Sequence, residues 1–159
     1  MTKLNIRLKG DKILRQKAEP IKNPQKKDIQ KLAQNMTKTM NQENGIGLAA
    51  PQVGLSKRLI CVKNKDGDLI LINPKITKKS WLKNMAEEGC LSIPGVFGPV
   101  KRHKSIIVKA KNLKNKSIKF KAKGLLARVI QHEVDHLNGI LFIDKIEKNV
   151  SKTKNERKI

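Results

Sequence analysis

The hydrophobic pattern changes period near residue 124, and this change constrains the fold more than any other feature. In KSIKFKAKG (116–124), Ile118, Phe120 and Ala122 alternate with lysines, as in a half-buried strand. Gly124 breaks that strand. LLARVIQHEVDHLN (125–138) then runs at helical period, with Gly139 placed to cap its end. A strand that feeds directly into an amphipathic helix must fold the helix back onto its own sheet.

Upstream, RLICVKN and DLILINPKI read as two strands around the turn signal Asp66-Gly67, and SIIVKAKN pairs with the 116–124 strand around Asn112 to Asn115. Ile29, Leu32, Met36 and Met40 recur at helical spacing within PQKKDIQKLAQNMTKTMN (24–41), a core-facing stripe. Asn23-Pro24 suits the start of this helix, and Asn44-Gly45 its stop. The segments GIGLAAPQVG (45–54) and EEGCLSIPG (87–95) show neither period and read as loop and turn. The expected fold is α+β: antiparallel β-sheets packed around a central helix carrying HExxH, with an N-terminal helix. Residues 1–147 are expected to form a single catalytic domain, and 148–159 a basic, flexible tail.

The 159 residues carry a formal net charge of +23, with lysine spread along the whole chain. Such a field favours polyanionic partners, nucleic acid or the ribosome surface among them. A general lysine bias would produce the same total. The chain has one tryptophan and no tyrosine, so aromatic platforms for single-stranded nucleic acid are scarce. No apolar run approaches the ~18 residues of a membrane span. The opening residues lack the apolar core of a secretory signal, so a cytoplasmic location and no membrane partner are expected. Cys61 and Cys90 sit in dissimilar settings, a strand and a turn, as two free thiols in a reducing compartment would.

Within ARVIQHEVDHLNG, His132 and His136 are one helical turn apart and can grip one divalent ion. Glu133 points roughly 100° away around the helix, within reach of a water on that ion but poorly placed as a ligand. Leu125, Val129, His132 and His136 share a face, which turns the histidines toward the interior. A catalytic ion needs a third protein ligand and an open position. Six residues beyond His136 stands Phe142, which cannot ligate. Glu156 is at a suitable distance, but near the end of the charged tail. Cys90, between Gly89 and Leu91, is the better donor, since a thiolate binds Fe²⁺ or Zn²⁺ strongly.

GIGLAAPQVG (45–54), EGCLSIPG (88–95) and QHEVDHLNG (131–139), in this order, resemble three motifs of the peptide deformylases. LRQKAEPI (14–21) resembles their N-terminal region. The resemblance spans most of the chain. It implies a hydrolase that removes the N-formyl group from the formyl-methionine of nascent polypeptides, by attack of metal-bound water or hydroxide. It implies Cys90, His132 and His136 as metal ligands and Glu133 as general acid/base. Gln52 and the Leu91 N–H would hold the oxyanion. Gly47 would let substrate backbone pair with the loop, and Gly89 would let it come close to the thiolate. Ile46, Glu88, Leu125 and Val129 match positions lining the methionine pocket. The implied cofactor is one divalent ion, Fe²⁺ first, with Zn²⁺ or Ni²⁺ able to replace it. A monomer is expected, with the basic surface and tail available to the ribosome. The chain departs from the family at Phe97, where an arginine is common, and at Arg128, where many members carry an apolar residue. The alternative enzyme is an HExxH endopeptidase with Glu156 as third ligand.

Overall fold

Strand periodicity decides most of the architecture. A computed structural model of the chain describes residues 2–147. The first helix, α1 (Lys27–Gln42), buries Ile29, Leu32, Met36 and Met40 on one face. Pro24 lies just outside it, since Lys26 still turns back to the Asn23 carbonyl. The strands follow as β1 (Gly47–Ala49), β2 (Leu59–Val62), β3 (Leu69–Lys79), β4 (Lys83–Cys90), β5 (Ile93–His103), β6 (Ser105–Lys111) and β7 (Ser117–Lys123). The second helix, α2, covers Gly124–Leu137. Among the described residues there are also three short 3₁₀ turns, at Lys12–Arg15, Ala50–Val53 and Phe142–Lys145.

Five strands form one antiparallel sheet in the order β1-β2-β3-β6-β7, and β4 and β5 form a separate hairpin. In the β6–β7 pair, Val108 faces Phe120 and Ile106 faces Ala122 on the inner side, as the alternation requires. Onto that face α2 packs Ala127, Ile130 and Val134, with Ile60, Val62, Leu71 and Val108 opposite. The other side of α2 is tied to the hairpin. Arg128 donates to the carbonyls of Asn84 and Val100, and Gln131 donates to that of His103. α1 closes a second core over Leu48, Leu59 and Cys61.

The C-terminus of α2 is stopped by chemistry legible in the sequence. Gly139 has φ +72, its N–H donates to the His136 carbonyl, and the Ile140 N–H donates to that of Asp135. This is the paired bonding of a Schellman motif, which satisfies the last free carbonyls of the helix. A side chain at Gly139 would also run into the Arg15 backbone.

One expectation is corrected. EEGCLSIPG is not a plain turn: Glu87 to Cys90 end a strand, and Ile93 begins the next. The register jumps from Gly89↔Phe97 to Cys90↔Ile93, so Pro94, Gly95 and Val96 bulge out of the pairing. Gly and Pro conceal the period-2 pattern there, and the bulge re-aims Cys90. GIGLAAPQVG likewise holds the short β1 and a 3₁₀ turn. Residues 148–159, including the expected tail and Glu156, lie outside the described residues. Among the described residues no helix is long and apolar enough to cross a membrane.

Candidate metal centre

Three elements converge beside α2. The helix supplies His132, Glu133 and His136, the end of β4 supplies Cys90, and the 3₁₀ turn after β1 supplies Gln52. Ligand atoms of Cys90, His132 and His136 all lie within 4.8 Å of one another. Cys90 Sγ is 3.2 Å from His136 Nε2. Among the described residues this is the one group of three metal-ligating side chains. The two cysteines are free thiols. Cys61 is buried elsewhere, and burial pushes its thiol up to about 12, which leaves Cys90 as the usable sulfur.

The orientation of each donor has a partner behind it. His132 donates from Nδ1 to Glu88 Oε2 at 3.0 Å, which turns its other nitrogen toward Cys90. Glu88, 7% exposed, also accepts from Arg102 at 2.9 Å and from Arg128 at 2.6 Å. Burial alone would raise the Glu88 carboxyl. Hydrogen bonds from His132 and Arg102 overcome this and hold it well below the usual carboxylate range. Arg102 continues to Asp135 on α2, so two carboxylates and two guanidiniums form one buried ionic cluster. Arg128 is therefore buried rather than solvent-facing, and it also lines the cleft over this site. It lies four residues before His132, hence on the same face of α2, and that spacing was a signal for its role. His103 is half-buried, with Nδ1 2.6 Å from the Ser80 carbonyl.

Gln52 is held with its oxygen inward. Oε1 accepts from the Ala49 N–H at 2.8 Å. The NH₂ group must then face the other way, and it reaches Ser92 Oγ at 3.2 Å and Cys90 Sγ at 3.4 Å. Ser92, fully buried, escaped the sequence reading because a lone serine carries no pattern.

Glu133 and His136 keep one buried polar atom each without a hydrogen bond, Oε2 and Nδ1 respectively. Burial pushes the Glu133 carboxyl up to about 7, against the charges of His132 and Arg102. Burial also drives His136 well below the usual imidazole value, so its ring is a neutral donor. For His132 burial acts downward too, but hydrogen bonding to Cys90 and Glu88 lifts it to about 10. Anions that hold a proton on a ring nitrogen would hold a divalent cation there as well. One thiolate, two imidazoles and an unpartnered carboxylate oxygen make a donor set that fits such an ion.

A cleft of about 570 Å³ opens over these residues. Ile46, Gly47, Glu88, Gly89, Leu125 and Val129 all line it. Leu125 and Ile46 are 63% and 47% exposed, so they stand at its mouth rather than in the interior. Gly47 faces Glu133 and Val129 so closely that no side chain fits. The Phe97 ring covers Gly89, with its edge 2.6 Å from where a Cβ would stand.

A family model described as polypeptide deformylase matches residues 3–152. A peptide deformylase of Halothermothrix orenii is 50% identical over 148 residues, covering 92% of this chain and 95% of that protein. One from Dictyoglomus thermophilum is 49% identical over 148 residues, covering 93% and 95%. The crystal structure of peptide deformylase from Thermotoga maritima superposes with a TM-score of 0.90 at 40% identity, over 92% of this chain and 99% of that one. A Met-Ala-Ser-bound class I type b peptide deformylase from Acinetobacter baumannii gives 0.86 at 37% identity, over 91% and 99%.

Proposed function

Since the chain belongs to the polypeptide deformylase family, we propose that it is a metal-dependent hydrolase that removes the formyl group from the N-terminal formyl-methionine of nascent polypeptides, with Glu133 as general acid/base. The observation that carries this is the meeting of Cys90, His132 and His136 beside the unpartnered Glu133 oxygen. The reaction consumes one water and gives formate and a free α-amine.

Cys90, His132 and His136 would hold one divalent ion, Fe²⁺ by preference and Zn²⁺ or Ni²⁺ otherwise. When bound, the ion supplies Lewis-acid activation of water and of the formyl oxygen. Glu133 accepts a proton from the attacking water, a task suited to a carboxylate raised toward neutrality by burial. It then delivers that proton to the departing nitrogen. The Gln52 NH₂, fixed by Ala49, and the Leu91 N–H donate to the formyl oxygen as negative charge grows there. Gly47 presents backbone along which the substrate chain can pair as an added strand, and Gly89, under the Phe97 ring, lines the same cleft. Ile46, Leu125 and Val129 receive the methionine side chain, and Glu88 fixes the wall behind them through Arg102 and Arg128. Residues 1–147 act as one catalytic domain on the HExxH helix. A cytoplasmic monomer, with 148–159 as a basic tail able to meet the ribosome, completes this reading.

The test is anaerobic purification, metal analysis and formate release from formyl-Met-Ala-Ser by the wild type and Glu133→Gln. The variant is expected to keep about one ion per chain and to lose roughly 10²- to 10⁴-fold in kcat. Unchanged turnover in that variant would refute the assignment.

A further inference from the structure

The cation-rich groove behind α2 serves no step of the hydrolysis. The catalytic cleft is lined by Leu125, Arg128, Val129, His132 and Glu133 of α2, whereas this groove, of about 1170 Å³, is lined by Gln131, Val134, Asp135 and Asn138. Its walls carry Lys17, Arg58, Lys75, Lys79, Lys83 and Lys101. None of these six has a carboxylate partner among the described residues. Two of the acids lining the groove are already engaged, Glu19 by Lys57 and Asp135 by Arg102 and Lys145. That leaves Glu147 against six cations.

We propose that this groove binds the phosphate backbone of RNA, with Arg58 as its half-buried anchor and the lysines as its rails. Arg58 donates through Nη1 to the Leu137 carbonyl at 3.1 Å and to Asn138 Oδ1 at 3.0 Å, which fixes the guanidinium in the groove wall. A half-buried guanidinium that meets only neutral acceptors favours an incoming anion. Cations spread over so large a concavity exceed what one inorganic phosphate can satisfy. A flat bilayer surface cannot enter a concave groove, whereas the ridge of a folded RNA backbone can.

The chain's single tryptophan, Trp81, is 95% exposed on the turn between Lys79 and Lys83, and serves as a built-in reporter. The experiment measures binding of a fluorescein-labelled RNA stem-loop by anisotropy over a series of KCl concentrations, with Trp81 emission read in parallel. The variants are K75Q/K79Q/K83Q and, as a charge-matched control on exposed α1-side positions, K22Q/K27Q/K31Q. The groove variant is expected to lose at least about tenfold in affinity at physiological salt, with a slope of log K against log salt shallower by about 2, at roughly 0.7–0.9 per lost contact. The control is expected to keep the wild-type slope, and Trp81 emission to change on binding. Both variants should release formate at the wild-type rate, so failure of RNA binding is separable from failure of the deformylase reading. Equal losses in the two variants would overturn the proposal, since net charge alone would then account for binding. So would preferential binding to phosphatidylglycerol vesicles that the stem-loop does not displace.

Discussion

Gly47 lies against the Glu133 carboxylate so closely that a single added methyl group would overlap Oε1 and come within 2.7 Å of Val129 Cγ1. A Gly47→Ala variant must therefore move the carboxylate or the strand. Misplacement of a catalytic group by about 1 Å costs on the order of 10²-fold in rate, and overpacking about 1–3 kcal/mol. Formate release and a thermal melt on the same preparation check both. A fully active Gly47→Ala enzyme would mean that Glu133 tolerates displacement.

Glu88 joins α2 to the hairpin through His132, Arg128 and Arg102. Glu88→Gln keeps the shape but leaves Arg102 and Arg128 buried with one negative partner fewer. A loss of roughly 3–5 kcal/mol is expected by urea unfolding. The same change loosens the His132 ring, so metal affinity should fall about 10- to 100-fold in a chelator competition. Lowered stability with unchanged affinity would show that the His132–Glu88 bond does not tune the site.

The two thiols should behave in opposite ways. Cys90→Ala and His136→Ala are expected to purify with little metal and negligible activity, whereas Cys61→Ala keeps about one ion per chain and loses only stability. In chelator-treated protein, Cys90 should alkylate with iodoacetamide while Cys61, buried with its thiol pushed up to about 12, does not. Peptide mapping reads the difference directly.

Acid should weaken the clamp between the N-terminal 3₁₀ turn and the last one. Arg15 hydrogen-bonds Asp144 and holds its carboxyl below the usual range, despite a small opposing effect of burial. A carboxyl depressed in the folded state stabilises above its unfolded pKa of about 3.9, and that contribution is lost as pH falls through the lower folded value. Both side chains are well exposed, so the effect stays below about 1 kcal/mol and shrinks in salt. Urea midpoints of wild type and Arg15→Gln should differ at neutral pH and converge near pH 2. A gap that widens in acid would reverse the sign assigned here.

The legible parts of the fold were those whose apolar residues keep a single period. The stripe from Ile29 to Met40 and the alternation from Ile118 to Ala122 each bury one face, and each became the element expected. The β4–β5 hairpin was not legible. Its strands mix exposed and buried positions without a clean alternation, are broken by Gly89, Pro94, Gly95, Gly98 and Pro99, and are offset by a bulge. The motifs brought Cys90, His132, Glu133, Gln52 and Glu88 into view, but not Arg128 as a support behind them. Arg128 reads as one more cation in a lysine-rich chain until Asn84, Glu88 and Val100 fold around it. Leu125 shares the face of His132 yet lies in the first turn of α2 at the cleft mouth, where 63% of it stays in water.

The sulfur of Cys90 comes from 46 residues before His136 and reaches it only through the bulge of the closed hairpin. Two imidazoles on an isolated helix grip a cation weakly, and the strong third donor exists only once tertiary structure does. Under the proposed metal reading, maturation would therefore have an order, with chain collapse first and ion capture second. A captured ion would then act as a latch, since the hairpin could not swing away from α2 without surrendering it.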